Sequence, residues 1–458
     1  MATLTYPQSI AISLTAGDTL SVTAGRGVAT FGPGGRYGQT VSINGSATFG
    51  PYPDAVVINL CAAQTDLTYS TGSASSSSAV VAAAVAQSLK FDLPIWRKAV
   101  AKARAGVGPA LLMLYGDSKT AGQGGGAGAS GATQARKRSE ASAVASILSR
   151  RMIKASADSW IGDQNIGAVA GYSGQPTSGA GYNLYDPTLV TAGGTAWAPD
   201  SGVSHAGGRF WIGTSGGAGT LTMTPSGTFD TVVVLYAKTG SSATSLPVTI
   251  NGVAQTAINT QGANALGRTT FTGVGSGPIV FGAPTGGNAF LIGCYAYLSS
   301  DPGVVVLQAG ACGQTAAWFA GGAQPWEQGV SVQNIAPALT IFKSLTNDIN
   351  GSTTAASYGA SIQSLITKIK SVGDLIVVID TPGANANFTN GLYDQYISQI
   401  NQICGANSVN VLDMRKVTAM TYADSNAAGY NYDTISHMTA LGYAADSELL
   451  ASALVSAI

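Results

Sequence analysis

The stretch Pro109 to Gly125, PALLMLYGDSKTAGQGG, decides the reading of the fold. Ala110 to Tyr115 is an apolar run of the length of one buried strand, and it stops abruptly at Gly116-Asp117-Ser118. A glycine-rich turn follows, and then a helix-like segment from about Thr133 to Ile153. A serine at the carboxyl end of a buried strand, ahead of a helix, lies where open α/β sheets place their ligands. Backbone N–H groups there can stabilise developing negative charge. The same tripeptide also suits a plain turn, so its meaning depends on the rest of the chain.

Downstream, the strand-then-helix pattern is interrupted and later resumes. From about Trp160 to Leu298 helical periodicity is nearly absent. Short strand runs occur at Arg209–Ile212, Thr220–Thr224, Thr231–Ala237, Pro247–Ile250, Thr269–Thr272, Ile279–Phe281 and Ala289–Leu298, separated by Gly, Ser, Pro and Asn turns. Such spacing predicts a β-sandwich, jelly-roll-like, of the kind that often recognises carbohydrate. Strands then alternate with helices: Val304–Leu307, Ala338–Phe342, a helix over 355–371, Leu375–Ile379, a helix over 393–403, Val409–Leu412, and a last helix over 440–457. Alternation of this kind calls for a parallel sheet with helices on both faces.

Upstream, residues 1 to 70 read as a small β domain, with runs at Ser9–Leu14, Thr19–Val22 and Val56–Leu60 between turn residues. Ser70 to Ser78 has linker composition, and an Ala-rich helical piece (79–89) and a second one (95–105) follow. These are expected to form a stalk or to pack on the next domain. The domain boundaries are therefore 1–70, a linker with helices at 71–105, an α/β domain in two parts at 106–158 and 303–458, and an inserted β-sandwich at 159–302.

Composition narrows the function classes. Charged residues are 10 % of 458, hydrophobic residues 45 %, and glycines number 60, which excludes a disordered chain. Lys plus Arg equals Asp plus Glu at 22 each, so no overall field draws the protein to nucleic acid or to an anionic membrane. No apolar run reaches the roughly 20 residues of a membrane span, and the N-terminus lacks a signal-peptide pattern. The four cysteines are far apart without a CxxC pair, so neither a disulfide framework nor a metal site is expected. Basic clusters at Arg97-Lys98, Arg136-Lys137-Arg138 and Arg150-Arg151 read as solvated helix faces.

Four loops at predicted strand ends carry chemistry, around Ser118, Gly313, Asn347 and His437. In a parallel sheet those ends gather on one edge. Only two histidines exist, His205 and His437, and His205 lies in a Gly/Ser loop that suits the surface. A serine nucleophile needs a histidine base and a carboxylate to fix the imidazole tautomer. Backbone N–H groups of Ser118 and Gly313 and the Asn347 amide are suited to an oxyanion. Gly213-Thr214-Ser215-Gly216-Gly217 fits the nucleophile-elbow pattern in letters only, because a strand rather than a helix follows it.

This ordered set resembles the SGNH (GDSL-type) hydrolase family. Gly116-Asp117-Ser118 is similar to its first block, Gln308 to Gly313 to its N-x-G-x-x-G block, Leu345-Thr346-Asn347-Asp348 to its G-x-N-D block, and Asp433 to His437 to its last. The resemblance implies a flavodoxin-like fold, Ser118 as nucleophile, His437 as base, and Ser118, Gly313 and Asn347 as oxyanion donors, with no cofactor. Three positions depart from the pattern. Gln308 stands for Asn, Leu345 for Gly, and Thr434 occupies the place three before the histidine where Asp is usual. Asp433, four before, then completes the triad if one extra loop residue is accommodated; otherwise the third member is missing or comes from another acid, Asp424 for example.

The first 70 residues also resemble small domains of tailed-bacteriophage virion proteins, through Thr48-Phe49-Gly50-Pro51-Tyr52, Val56–Leu60 and Leu67–Ser70. Together the two resemblances imply a tail-spike or tail-fibre esterase, located on the virion or otherwise extracellular. Its expected substrate is an O-acetylated bacterial surface polysaccharide, its expected neighbours are other tail proteins, and a homotrimer is a common state for such proteins. The alternatives are a non-catalytic receptor-binding adhesin on the same scaffold and a bacterial carbohydrate esterase or lipase.

Overall fold

A computed structural model describes the strands at 2–4, 9–14, 18–24, 26–31, 40–44, 47–49, 56–62 and 67–73, and residues 91–125, 138–162, 189–200, 205–207, 210–389, 391–434 and 437–458. The chain divides into two compact units, Met1–Lys90 and Phe91–Ile458. The first contains two antiparallel four-stranded sheets. One runs Ala2–Leu4, Leu67–Ser73, Asp18–Ala24, Ala47–Phe49; the other runs Ser9–Leu14, Val56–Ala62, Arg26–Phe31, Thr40–Asn44. The last strand continues to Ser73, into the stretch with linker composition, and the Ala-rich piece at 79–89 lies outside the described residues.

The second unit is built on a six-stranded parallel sheet of β1 (Ala110–Gly116), β2 (Ala155–Ser156), β3 (Val304–Gly310), β4 (Leu339–Lys343), β5 (Asp374–Ile379) and β6 (Asn410–Asp413). The order is β2-β3-β1-β4-β5-β6, and every pairing is parallel. Without β2, this is the flavodoxin-like arrangement, with the β-sandwich inserted in the crossover from β1 to β3. Every residue of β1 and β3 is buried. That explains why these strands read as continuous apolar runs rather than alternating ones.

Six helices matter here: α1 (Pro94–Arg104), α2 (Glu140–Arg150), α3 (Gln328–Ile335), α4 (Ala355–Lys370), α5 (Leu392–Ala406) and α6 (Ala440–Ser456). Leu111, Met113 and Tyr115 of β1 share one core with Ile362 and Ile366 of α4 and Tyr396 and Ile400 of α5. On the other face lie α1, α2 and α6: α1 packs on β1, α2 packs on α6, and the Trp96 indole donates to Leu454 O at 3.3 Å. Pro94 starts α1, where its missing N–H costs nothing, and the Trp96 N–H finds Asp374 Oδ2 at 2.8 Å. This corrects the boundary at residue 106. The helix belongs to the α/β unit, which begins at Phe91.

The inserted segment forms two antiparallel sheets. The larger contains Trp197–Pro199, Trp211–Gly213, Ala289–Tyr297, Thr231–Lys238 and Ala265–Thr272, with Trp160–Gly162 pairing to Ala289–Tyr297. The smaller contains Val190–Ala192, Leu221–Met223, Ile279–Phe281, Val248–Ile250 and Val253–Ala254. Val232, Val234 and Leu291 of the first meet Leu221, Val248, Ile279 and Phe281 of the second in a shared core. The alternate residues Val233, Leu235, Ala237 and Ile292 face the other way, into the core of the α/β part. Trp160 Nε1 donates to Gln308 O at 3.2 Å, and Arg268 donates to Ile335 O at 2.9 Å. The sandwich is therefore packed as a layer of the unit, not hung from it.

Candidate active site

The register Gly310–Gly116–Lys343 across β3, β1 and β4 brings three strand ends level at one edge. At Gly116 a Cβ would lie 1.9 Å from Lys343 O and 2.6 Å from Thr120 Oγ1, so only glycine fits where β1 turns. The turn that follows is tied down by its own backbone. Asp117 N donates to Lys343 O at 3.1 Å, Ala121 N to Asp117 O at 3.1 Å and Gln123 N to Ser118 O at 3.0 Å. Asp117 Oδ1 accepts the Lys119 N–H at 3.0 Å, a local Asx turn. Gly124, at φ +89°, passes so close to Met438 that a Cβ would lie 2.5 Å from its carbonyl oxygen. The glycine-rich stretch thus lets the serine turn dock against the histidine loop.

Ser118 Oγ lies 2.7 Å from His437 Nε2, and His437 Nδ1 lies 2.6 Å from Asp433 Oδ2. The second oxygen, Asp433 Oδ1, accepts the His437 backbone N–H at 3.1 Å. With Nδ1 donating to the carboxylate, Nε2 is left as the acceptor for the serine hydroxyl, the tautomer a general base needs. Ser118 and His437 are almost wholly buried, at 6 % and 4 % exposed, so water competes little for these bonds. The last block is tied at its base, where Tyr432 N donates to His437 O at 2.7 Å and Asn431 bridges to Met438. Thr434 serves the neighbouring loop, its carbonyl accepting the Ala384 N–H at 2.7 Å. Asp424 is elsewhere, accepting the Thr421 hydroxyl at 2.7 Å on an exposed helix N-terminus.

Gly313 has φ +74°, the left-handed region, with nothing within 4 Å of where a Cβ would be. Among the described residues, neither the Ser118 nor the Gly313 backbone N–H donates a hydrogen bond. Asn347 Nδ2 donates one proton to Gln314 O at 2.9 Å, and an amide carries a second. These three groups stand on the loops after β1, β3 and β4. Two departures from the family pattern also find reasons. Leu345 has φ −136°, which needs no glycine, and its side chain is fully buried. Gln308 reaches from β3 to the serine turn, donating from Nε2 to Thr120 O at 2.8 Å.

Two features escape sequence reasoning. The loop after β5 joins the asparagine and histidine loops: Asn387 Nδ2 donates to Ile349 O at 3.0 Å, and Asn385 Nδ2 bonds Asn350 Oδ1. Behind the serine turn lies a fully buried ionic cluster of Lys119, Lys343, Asp380, Asp446 and Glu140. Its members are spread over the chain, so no spacing announces them. Asp348 accepts the Ala316 N–H at 2.8 Å, and burial pushes its carboxyl up to about 6.

His205 corrects an expectation. It is buried rather than at the surface, 1 % exposed, with Nδ1 accepting the Gly207 N–H at 3.1 Å and its ring 5.3 Å from Phe210. Gly213 to Gly217 is a turn after Trp211–Gly213, as its sequence context suggested, with Gly217 N donating to Thr214 O at 3.2 Å.

No protein-family model and no curated protein matches the chain. Solved structures do. A peptidoglycan O-acetylesterase captured in action aligns over 79 % of this chain and 95 % of its own, at TM-score 0.56 and 18 % identity. An acetylxylan esterase from Geobacillus stearothermophilus aligns over 34 % of this chain and 72 % of its own, at TM-score 0.26 and 18 % identity. A G-D-S-L family lipolytic protein from Desulfitobacterium hafniense DCB-2 aligns over 33 % and 81 %, at TM-score 0.28 and 15 % identity. The first likeness establishes the fold, a parallel α/β sheet covered by helices and shared with that O-acetylesterase, over most of the chain.

Proposed function

We propose that the protein is a serine esterase that removes O-acetyl groups from a bacterial surface polysaccharide. The observation that carries this reading is the continuous chain Ser118 Oγ–His437–Asp433, with both links at 2.7 Å or less. Ser118 attacks the acetyl carbonyl carbon and passes its proton to His437 Nε2. The carbonyl oxygen gains negative charge, which the N–H groups of Ser118 and Gly313 and the Asn347 amide stabilise. His437 returns the proton to the departing sugar oxygen, leaving acetyl-Ser118. A water then loses a proton to His437 and attacks the acyl carbon; His437 passes that proton to the departing Ser118 Oγ, releasing acetate and free Ser118.

Support for an acetylated glycan comes from the peptidoglycan O-acetylesterase that shares the fold. The tail-spike setting rests on the resemblance of the N-terminal residues to virion proteins, and so do the expected tail-protein neighbours and a trimer. In the described residues no helix is long and apolar enough to cross a membrane.

The test is acetate release from an O-acetylated capsule or O-antigen, with p-nitrophenyl acetate as a simple ester, for the wild type and Ser118→Ala. The variant is expected to lose about 10³-fold or more in kcat. Equal rates for the two proteins, or a wild type inert on both substrates, would sink the esterase reading.

A further inference from the structure

We propose that the buried chain Lys119–Asp380–Lys343–Asp446 is a positioning device that locks the Ser118 turn to the helix behind His437; this rests on the reading of Ser118 as nucleophile. Lys119 follows Ser118 directly, and its Nζ lies 3.1 Å from Asp380 Oδ2. The other oxygen of Asp380 lies 3.5 Å from Lys343 Nζ, at the end of β4. Lys343 Nζ then donates to Asp446 Oδ2 at 2.7 Å, on α6, the helix that follows His437. Lys343 also accepts the Asp117 N–H through its carbonyl at 3.1 Å. Two ammonium groups and two carboxylates therefore connect the loop of the nucleophile, the strand leading to Asn347 and the helix anchoring the base.

All four side chains are at most 1 % exposed. Lysines are almost never buried so deeply unless paired, and desolvating each ion costs several kcal/mol. The net gain in stability from such pairs is commonly near zero, whereas their geometry is demanding, since each buried charge needs its counter-charge within reach. Position, rather than stability, is thus what the cluster provides. Glu140 of α2 also faces Lys343, at 3.6 Å, and Asp117 lies beside Lys119. Four carboxyl groups therefore surround two ammonium groups. Burial accordingly raises the Asp117 and Asp446 carboxyls, and Glu140 reaches about 7.

The experiment compares the full-length wild type with Lys119→Met and with Lys119→Met/Asp380→Asn, which removes both charges of one pair. Measured are melting temperature, kcat and KM on p-nitrophenyl acetate from pH 5 to 9, and the ¹⁵N resonances of the histidine rings. Only two histidines are present, so His205 serves as an internal control. The double variant is expected to regain most of the melting temperature lost by Lys119→Met. Its kcat should stay about 10- to 100-fold down with KM changed less than about threefold, as for a misplaced reacting group. The His437 ring signals should move while those of His205 stay. Wild-type kcat together with unmoved His437 signals in the folded double variant overturns the proposal. The ring signals decide the positioning role even for a wild type without esterase activity, an outcome that would count against the esterase reading alone.

Discussion

Asp433 places two hydrogen bonds on one residue, the His437 ring at 2.6 Å and the His437 backbone N–H at 3.1 Å. The second bond holds the backbone that carries the ring, so the carboxylate orients His437 through both its ring and its main chain. Asp433→Asn is expected to lower kcat about 10²–10⁴-fold, whereas Asp424→Asn should leave kcat within about twofold, both read on p-nitrophenyl acetate. The reverse ranking would reassign the acid. Ser118, Gly313, Asn347 and His437 were legible as residue types at successive strand ends. The acid behind His437 was not, because its identity depends on which carboxylate the fold brings to Nδ1 rather than on spacing in the chain. The glycines separate in the same way. Gly313→Ala meets open space and only the strain of φ +74°, about 1 kcal/mol, and keeps the N–H in place. Gly116→Ala drives a Cβ to 1.9 Å from Lys343 O and should cost about 3 kcal/mol or more, measured by denaturant unfolding.

At the scale of elements, β1 and β3 were readable from their apolar runs, since burial on both faces removes the alternation of half-exposed strands. The short β2 (Ala155–Ser156) was not, because two residues carry no periodicity. Nor was the role of α2 apparent, although its first residue, Glu140, reaches the ionic cluster beneath the serine turn. Burial, opposed by Lys343, raises Glu140 from near 4.5 to about 7. The folded state therefore holds this proton more tightly than the unfolded chain does. The stability it contributes is fully present below about pH 4.5 and is lost as pH rises through about 7. The melting temperature should accordingly fall between pH 5 and 8 in the wild type, and Glu140→Gln should flatten that part of the profile. An equally steep decline in the variant would place its origin in another group of the cluster.

For the whole second unit, alternation of strands and helices predicted the parallel sheet, and the run of short strands predicted the insertion. What no local pattern carried was their union into one core. Residues of the strand Thr231–Lys238 alternate between two apolar environments, Val232 and Val234 toward the sandwich and Val233 and Leu235 toward the α/β part. Such a strand reads as a plain apolar run, without a sign of what its second face meets. The helix α1 was visible by its periodicity, and only packing shows that it closes the sheet. Trp96 is fully buried there, its backbone N–H bound to Asp374 and its indole to Leu454 O. Trp96→Ala should therefore cost about 3–5 kcal/mol, like other large buried aromatic truncations. A chain starting at residue 106 should be less stable still, while one starting at Phe91 keeps the wild-type unfolding midpoint of the α/β unit. Denaturant unfolding followed by tryptophan fluorescence compares the two truncations. Equal midpoints would mean that α1 is dispensable, and the boundary of the folding unit would return to the start of β1.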